Sequence, residues 1–506
     1  YGKRHLFLRA VQEVSLKDMK RERVYTCTGW AKVDGERSFL TASGGISAKG
    51  FDKNMRVELD DNLSHYTLPE PPQGKERYEA IRASLAFLDL APLRVSAPIW
   101  AAMYASLLTE VLPLYTVLWV YGATQSGKST IAHLALTHFG KGFIEGRQYH
   151  APTDWMSTAT HLEEAMFSAK DIPLIVDDFA PQFQGKEDAT RIRATANRVV
   201  RSMGNRSARG RSKNYQAKTL APRGLVLSTA ELPLSGESTV GRMLYIPIER
   251  GDFLPDAGEK SRPMLDLAQE QAQSGMYALA MSAYIQWLAI NWERAIKILA
   301  KFQAESLQKI RERSEMQNRL PDYFVVLDAS QKLALRAFVE IGILGKEEEK
   351  VLSEEISEAL ANVVAMQVEK IAKESPVRKF FEALESLLTR HKVYLASRTK
   401  DFRHIQPPKA EMIGWHNPDE NIVYLDDGAC LELVRNYWAG QGEYFDTTTD
   451  ALRRQMGQLP DLLAERGKGY NLLVSKWIAG KSRRALAINQ ERVQELYGVT
   501  LRNEER

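Results

Sequence analysis

"YGATQSGKST", Tyr121 to Thr130, is the stretch that decides the fold. Gly122, Gly127, Lys128 and Ser129 fill the fixed places of G-x-x-x-x-G-K-[ST], the spacing of a phosphate-cradling loop. The preceding residues, Leu114 to Val120 (LYTVLWV), form a short apolar run that predicts a buried strand. The following ones, Thr130 to Phe139 (TIAHLALTHF), predict a helix. Strand, glycine turn and helix together turn backbone N–H groups toward an anion at a helix N-terminus. Gly122, Thr124, Gln125, Ser126, Gly127, Lys128, Ser129 and Thr130 are therefore the expected nucleotide-binding residues. Lys128 is expected to reach the β- and γ-phosphates, and Ser129 to ligate Mg²⁺. ATP and Mg²⁺ are the expected cofactors.

A second acidic site is needed for magnesium-dependent hydrolysis. "DIPLIVDDF", Asp171 to Phe179, supplies an apolar strand ending in two carboxylates. Asp177 is the expected metal-shell residue, and Asp178 the residue that orients or deprotonates the attacking water. A further apolar strand, Gly224 to Glu231 (GLVLSTAE), carries Ser228 and Thr229 at its end, with Glu231 just beyond. Glu231 has two readings, tuning the catalytic acid or capping the next turn. Arg242 directly precedes another strand, Met243 to Ile248.

Between the paired acids and that strand lies the most charged segment. Residues 186–223 carry a net +9 in a chain whose total is +4. The centre, "GNRSARGRSKNY", is rich in Gly and Ser and holds Arg206, Arg209, Arg211 and Lys213; Lys218 follows. Such a loop suits contact with a phosphate backbone, which is independent of base sequence and sensitive to salt.

Composition narrows the rest. At 506 residues the chain has room for several domains, and 44% hydrophobic content supports real cores. Its two cysteines, Cys27 and Cys430, stand far apart, with no Cys-x-x-Cys or His-Glu-x-x-His spacing. That excludes a sequence-evident zinc site and fits a reducing, cytoplasmic setting. No signal peptide is visible. The most apolar stretch, Ala97 to Tyr121, contains Glu110 and Pro113 and reads as a buried helix followed by a strand, not a membrane span. A chain that starts at Tyr1 instead of Met is consistent with a fragment.

The expected fold class is α/β, a nucleotide-binding core flanked by other domains. Residues 1–75 read as β-rich, with Asp34-Gly35 a strong hairpin signal. Residues 76–250 form the ATPase core with a helical lead-in over 76–113. Residues 251–375 read as a helical lid or linker. Residues 376–506 mix helices with short strands and end in a hairpin, "YNLLVSKWIAGKSRRALAI", with Lys476, Lys481, Arg483 and Arg484.

Taken together, "DWMSTATHLEEAMFSAKDIPLIVDDF", the basic insertion, "LVLSTAE" and "ESTVGRMLYIPI" resemble AAA+ ATPases of mobile genetic elements. The helicases of staphylococcal cassette chromosomes, themselves similar to minichromosome maintenance helicases, are the nearest group. The N-terminal "VYTCTGW…FLTASGGI" and C-terminal "IGWHNPDENIVYLD" resemble the flanking domains of that group, the latter a winged helix. The resemblance implies a homo-hexameric ring that encircles single-stranded DNA and opens forked duplex by ATP-driven translocation. A primase or initiator is a possible partner, and no membrane is involved. It makes Thr229 the sensor-1 residue. It sends Arg242 into the neighbouring subunit's site, and points Arg206, Arg209, Arg211, Lys213 and Lys218 into the pore. Arg313 and Arg319 are candidates for a sensor-2 arginine. The pattern departs at Asp177-Asp178, where Asp-Glu is usual in that group.

Other machines share the ATPase motifs. A protein remodeller does not need the basic insertion and presents aromatic residues in its pore, where only Tyr215 is near here. A DNA-binding initiator would use its ATPase as an assembly switch and the terminal hairpin as a duplex-binding wing. A small-molecule kinase leaves the insertion and the C-terminal region unexplained.

Overall fold

The computed structural model describes residues 3–15, 22–146, 148–205, 220–234, 237–252, 262–313, 319–397, 410–441, 443, 445, 447–467, 471–478 and 481–503. The chain divides into two compact units. The first holds residues 1–233 and 242–364, the second 234–241 and 365–506.

The first unit opens with helix α1 (Arg4–Ser15). Strands β1 (Val24–Tyr25), β2 (Gly29–Val33), β3 (Glu36–Thr41), β4 (Gly44–Ser47), β5 (Gly50–Asp52) and β6 (Arg56–Val57) follow. β2 to β5 form an antiparallel meander. Its first turn is the expected Asp34-Gly35 pair, both at positive φ (49° and 87°), as a two-residue hairpin requires. Helices α2 (Gly74–Ala86) and α3 (Leu93–Ser106) lead to β7 (Val117–Tyr121) and α4 (Lys128–Leu136). Short strands β8 (Ile144–Glu145), β9 (Gln148–Tyr149) and β10 (Thr153–Asp154) come next. Then come α5 (Ala159–Ser168), β11 (Pro173–Phe179), α6 (Lys186–Asn205) and β12 (Leu225–Ala230). After α7 (Glu237–Val240), which belongs to the second unit, β13 (Met243–Pro247) completes the sheet. Helices α8 (Arg262–Ser274), α9 (Met276–Arg313) and α10 (Leu320–Glu340) come next, with α9 packed against α2 and α10, and α11 (Lys346–Lys373) follows.

The central sheet is parallel throughout, in the order β10-β11-β12-β7-β13. Parallel strands are covered on both faces, which is why β7, β11 and β12 are nearly continuous apolar runs. β12 lies between β7 and β11. All the loops that leave the strands' C-terminal ends therefore meet along one edge.

A buried carboxylate ties the meander to this sheet. Asp171, 1% exposed, accepts from Trp30 N (3.0 Å), Lys170 Nζ (2.5 Å) and Thr109 Oγ1 (2.5 Å). Trp30 Nε1 donates to Leu107 O, and the Trp30 ring meets Trp292 of α9 edge-on. A charge this deep survives because both oxygens have donors and the Lys170 ammonium offsets it.

His138, just past α4, is enclosed between α2 and α9. Its ring nitrogens lie 2.9 Å from Ser84 Oγ and 2.8 Å from Ala135 O, and it stacks on Tyr277 at 4.8 Å. Burial pushes its pKa down to about 4. Above pH 6.5 the imidazole is neutral in folded and unfolded chains alike. As pH falls toward 4 the unfolded chain takes up a proton that the folded one refuses, so stability is lost across that window. By pH 5 the loss from this one group should be about 2 kcal/mol. His138→Gln should melt below the parent at pH 7, with the gap narrowing by pH 5. A gap that stays constant across melts at the two pH values would show that His138 does not set this slope.

In the second unit, α12 (Pro376–Thr389) is followed by β14 (Val393–Ser397), β15 (Glu411–Asn417) and β16 (Ile422–Leu425). Then come α13 (Asp427–Gly440), α14 (Thr449–Gln458), β17 (Leu463–Glu465), β18 (Val474–Ile478), β19 (Lys481–Asn489) and α15 (Gln490–Tyr497). Asp426 and Thr448 cap α13 and α14 by accepting from Ala429 N and Ala451 N. β16 and β17 pair antiparallel on either side of β19, and β18 closes the expected hairpin with it. Phe380, Phe381, Leu384, Leu431, Val434 and Ile488 anchor the core between helices and sheet.

Candidate nucleotide site

The loop between β7 and α4 has the geometry its glycines foretell. Gly122 N donates to Ala230 O at 3.1 Å, and a Cβ at Gly122 would stand 2.1 Å from Ile248 O. Only glycine lets the chain pass there. Gln125 and Gly127 turn at positive φ (65° and 86°), and Gly127 caps α4. The loop thus opens onto the N-terminus of a helix whose first N–H groups have no intrahelical acceptor.

Lys128, 8% exposed, donates to Ala123 O (3.4 Å) and Glu231 Oε1 (3.2 Å). Ser129 Oγ donates to Asp177 Oδ1 at 3.3 Å. Thr229 Oγ1 is fully buried; it donates to Asp177 Oδ1 and accepts from Asp178 N at 3.0 Å. Its hydroxyl thus sets the two acids relative to each other. Ser228 Oγ accepts from Trp155 Nε1 at 3.0 Å. Thr124 Oγ1 lies 3.0 Å from each carboxylate oxygen of Glu231. Ser126 is buried within the turn, and Thr130 Oγ1 accepts from Tyr149 OH at 3.4 Å. The structure therefore gathers Gly122, Thr124, Gln125, Ser126, Gly127, Lys128, Ser129 and Thr130 with Asp177, Asp178 and Thr229 at one end of the sheet.

Asp178 is exposed and held at positive φ (58°). Partial burial raises its pKa, and the charges of Asp177, Glu231 and Asp154 add to this against Lys128. The shift favours proton uptake, the property a general base needs. Asp154 is a residue the sequence reading passed over. It stands level with Asp177 in the β10–β11 register, and its only signal was its place at the start of the quoted "DWMSTATHLEE". His133 was missed too. Its Nδ1 donates to Ser129 O (2.7 Å), its ring packs on Tyr149, and burial lowers its pKa.

Arg242 lies at the other end of the same sheet. Val117 N donates to Arg242 O, and Met243 pairs with Val117 at the start of β7, whereas the loop leaves the strand's far end. Five strand residues put about 16 Å between them. Arg242 cannot reach the nucleotide loop of its own chain. Its stem lies against Gly204, whose added Cβ would sit 2.8 Å from Arg242 Cδ. Burial lowers its pKa, followed by the charges of Arg319 and Arg201, with Tyr323 opposing. Arg319 Nη1 donates to Gly204 O at 2.6 Å. Three arginines therefore share one edge. Arg313, the other sensor-2 candidate, is paired with Glu358 on α11.

The basic segment divides in two. Its first half is α6, not a loop. There Arg198 pairs with Glu163 (2.5 Å), and Arg191 pairs with Asp188 and donates to Met156 O. Arg206, Arg209, Arg211, Lys213 and Lys218, with Tyr215, lie outside the described residues. At the C-terminal hairpin Lys476 stands opposite Arg483, and Trp477 is 73% exposed.

Among the described residues no group of three or more His, Cys, Asp or Glu could hold a metal, and no helix is long and apolar enough to cross a membrane.

The class this topology defines is mixed α/β, a parallel sheet with its site at the strands' C-terminal edge. A solved structure described as the active helicase Cch of SCCmec type IV has the same fold, with a TM-score of 0.61 and 14% identity over 97% of this chain and 84% of that one. The resemblance to helicases of mobile elements read from the motifs is borne out at the level of the fold. The apo C-terminal region of NrS-1 aligns over 96% of this chain and 90% of that one, at 10% identity and a TM-score of 0.30. A JCV helicase aligns over 57% and 66%, at 14% identity and a TM-score of 0.27. Of these three, only the first score indicates a shared fold. Residues 2–215 match a family described as a domain of unknown function, DUF927. No curated protein sequence matches the chain.

Proposed function

We propose that this chain is an ATP-driven DNA helicase of the AAA+ type, a hexamer translocating on single-stranded DNA in the replication of a mobile element. One observation carries the reading. The sheet holds the phosphate loop, Asp177, Asp178 and Thr229 at one edge and Arg242, Arg201 and Arg319 at the other. In this reading one subunit's arginines complete the next subunit's site, a head-to-tail contact that closes a ring when its rotation returns to the start.

In this reading Lys128 and the backbone N–H groups of the loop hold the β- and γ-phosphates. Asp178 accepts a proton from the attacking water, and Arg242 of the neighbouring subunit neutralises charge on the leaving phosphoryl group. The hard oxygen donors Ser129 Oγ and Asp177 Oδ1 fit Mg²⁺, which ordinarily takes few protein ligands beside phosphate and water. When bound, it would neutralise phosphate charge. Arg206, Arg209, Arg211, Lys213 and Lys218 supply five cations without an acid between them for the strand in the pore.

We read β16, α13, α14, β17 and the β18–β19 hairpin, in that order, as a winged helix with Arg483 and Arg484 on its wing. That arrangement supports a second reading, a DNA-binding initiator whose ATPase governs assembly, without unwinding.

The deciding experiment measures ATP turnover with and without single-stranded DNA, together with unwinding of a fork and particle images. A stimulated ATPase in rings that open the fork supports the helicase. Rings that bind duplex and leave it closed support the initiator. Replacing Arg209, Arg211 and Lys213 with Ala should leave basal turnover near the parent's, because none of the three belongs to the phosphate loop or to the acids beside it. The log–log salt slope for single strands should flatten by roughly 0.7 per lost contact. DNA stimulation and unwinding should fall together. A triple variant that binds and unwinds like the parent would move the DNA contact to the terminal hairpin.

A further inference from the structure

We infer that Glu231 is an internal stand-in for phosphate, a carboxylate that competes with the nucleotide for the loop and helps expel product. The inference rests on the nucleotide-site reading above. Glu231 follows β12, and that strand's place between β7 and β11 brings it over the loop. Its Oε1 accepts from Lys128 Nζ at 3.2 Å, and both its oxygens lie 3.0 Å from Thr124 Oγ1. The carboxylate therefore uses the lysine that the motif assigns to the β- and γ-phosphates, and a loop hydroxyl beside it. Lys128 is 9% and Glu231 13% exposed in their side chains. At that burial a lone charge on either partner is costly.

A nucleotide's terminal phosphates and Glu231 cannot hold Lys128 together. Each is an anion, and Asp178 and Asp177 already crowd the same edge with negative charge. Phosphate entry must therefore turn Glu231 away. When the phosphates leave, Glu231 restores a partner to Lys128, so the lysine is not left buried and unpaired. The loop is thereby biased toward release. A helicase that must step repeatedly gains from this, because ADP retention would stall the ring.

The device predicts an unusual sign. Glu231→Gln keeps the size and a hydrogen-bond acceptor but removes the competing charge. ADP should bind about tenfold tighter, the scale of one hydrogen bond to a charged group. The gain should appear as slower ADP dissociation, and steady-state turnover should fall with it. AMP, which carries no β-phosphate, should bind the variant and the parent alike. Glu231→Asp is a second variant in case the amide disturbs the loop. One methylene shorter, it cannot span Lys128 and Thr124 together, and it should tighten ADP by a smaller factor.

The measurement is equilibrium and stopped-flow binding of fluorescent ADP to the full chain, with unlabelled ADP and AMP as competitors. Lys128→Ala is the control. Unchanged or weaker ADP binding in both Glu231 variants, with binding lost in the control, overturns the stand-in and leaves the nucleotide site standing. A parent that binds no nucleotide, or whose binding survives Lys128→Ala, overturns the site reading itself. Equal tightening of AMP and ADP also overturns the stand-in, because its effect must be confined to the outer phosphates.

Discussion

ATP turnover by Lys128→Ala should fall by at least about 100- to 1,000-fold, the scale for removing one preorganised charge-stabilising donor. Lys128 is the loop's one cation, nearly buried, and its ammonium bonds only Ala123 O and Glu231 among the described groups. Removing it deletes the charge that faces the outer phosphates and frees Glu231 to repel them. Binding and chemistry should fail together. The sheet should stay folded, because Ala at the first position of α4 keeps the helix. Turnover near the parent's, in a variant with an unchanged melting temperature, would rule out this loop as the nucleotide site.

Arg242→Ala should lose as much, about 10³-fold or more, as expected for an arginine finger supplied in trans. The strand register makes this a test of assembly as well as of chemistry. Arg242 stands about 16 Å of strand away from its own loop, so any catalytic role must be played in a neighbour's site. Each single variant should be nearly inactive alone. Mixing Arg242→Ala with Lys128→Ala should restore part of the ATPase, because some interfaces then join an intact Lys128 to an intact Arg242. The test reads ATPase against mixing ratio, with subunit exchange verified by native mass. Exchange without any recovery would exclude the trans role. Arg319→Ala should behave like Arg242→Ala in the same mixture if the two arginines, gathered at Gly204, act as one group.

The sheet was legible because its strands are short apolar runs that end in the residues they present. β7, β11, β12 and β13 appear within a few residues of where the pattern put them. The phosphate loop was legible because its glycines answer steric demands that no other residue meets. Two features were not legible. In α6, Ile192, Ala196, Val199 and Met203 recur at helical spacing and are buried, but the density of arginine drew attention to charge and away from period. The left-handed backbone at Asp178 cannot be read from "DDF", because it depends on Thr229 holding Asp178 N from a strand fifty residues on. Glu231 is a similar case. Its contact with Lys128 exists only because of strand order, and the sequence alone left it with two readings. α1 appeared in a stretch read as β-rich, and it exposes Leu6, Phe7, Val11 and Val14.

The buried Asp171 has a bearing on how such chains can recombine. Its donors come from Trp30 in the meander, Thr109 before the phosphate-loop strand, and Lys170 beside it. A crossover that replaced the first seventy-odd residues with an unmatched sequence would strip a backbone donor from a charge with no access to water. The foreign half would have to bring back an N–H at the same point. Successful chimaeras should therefore join outside the span from Trp30 to Asp171, and recombined relatives of this chain should inherit that span as one block.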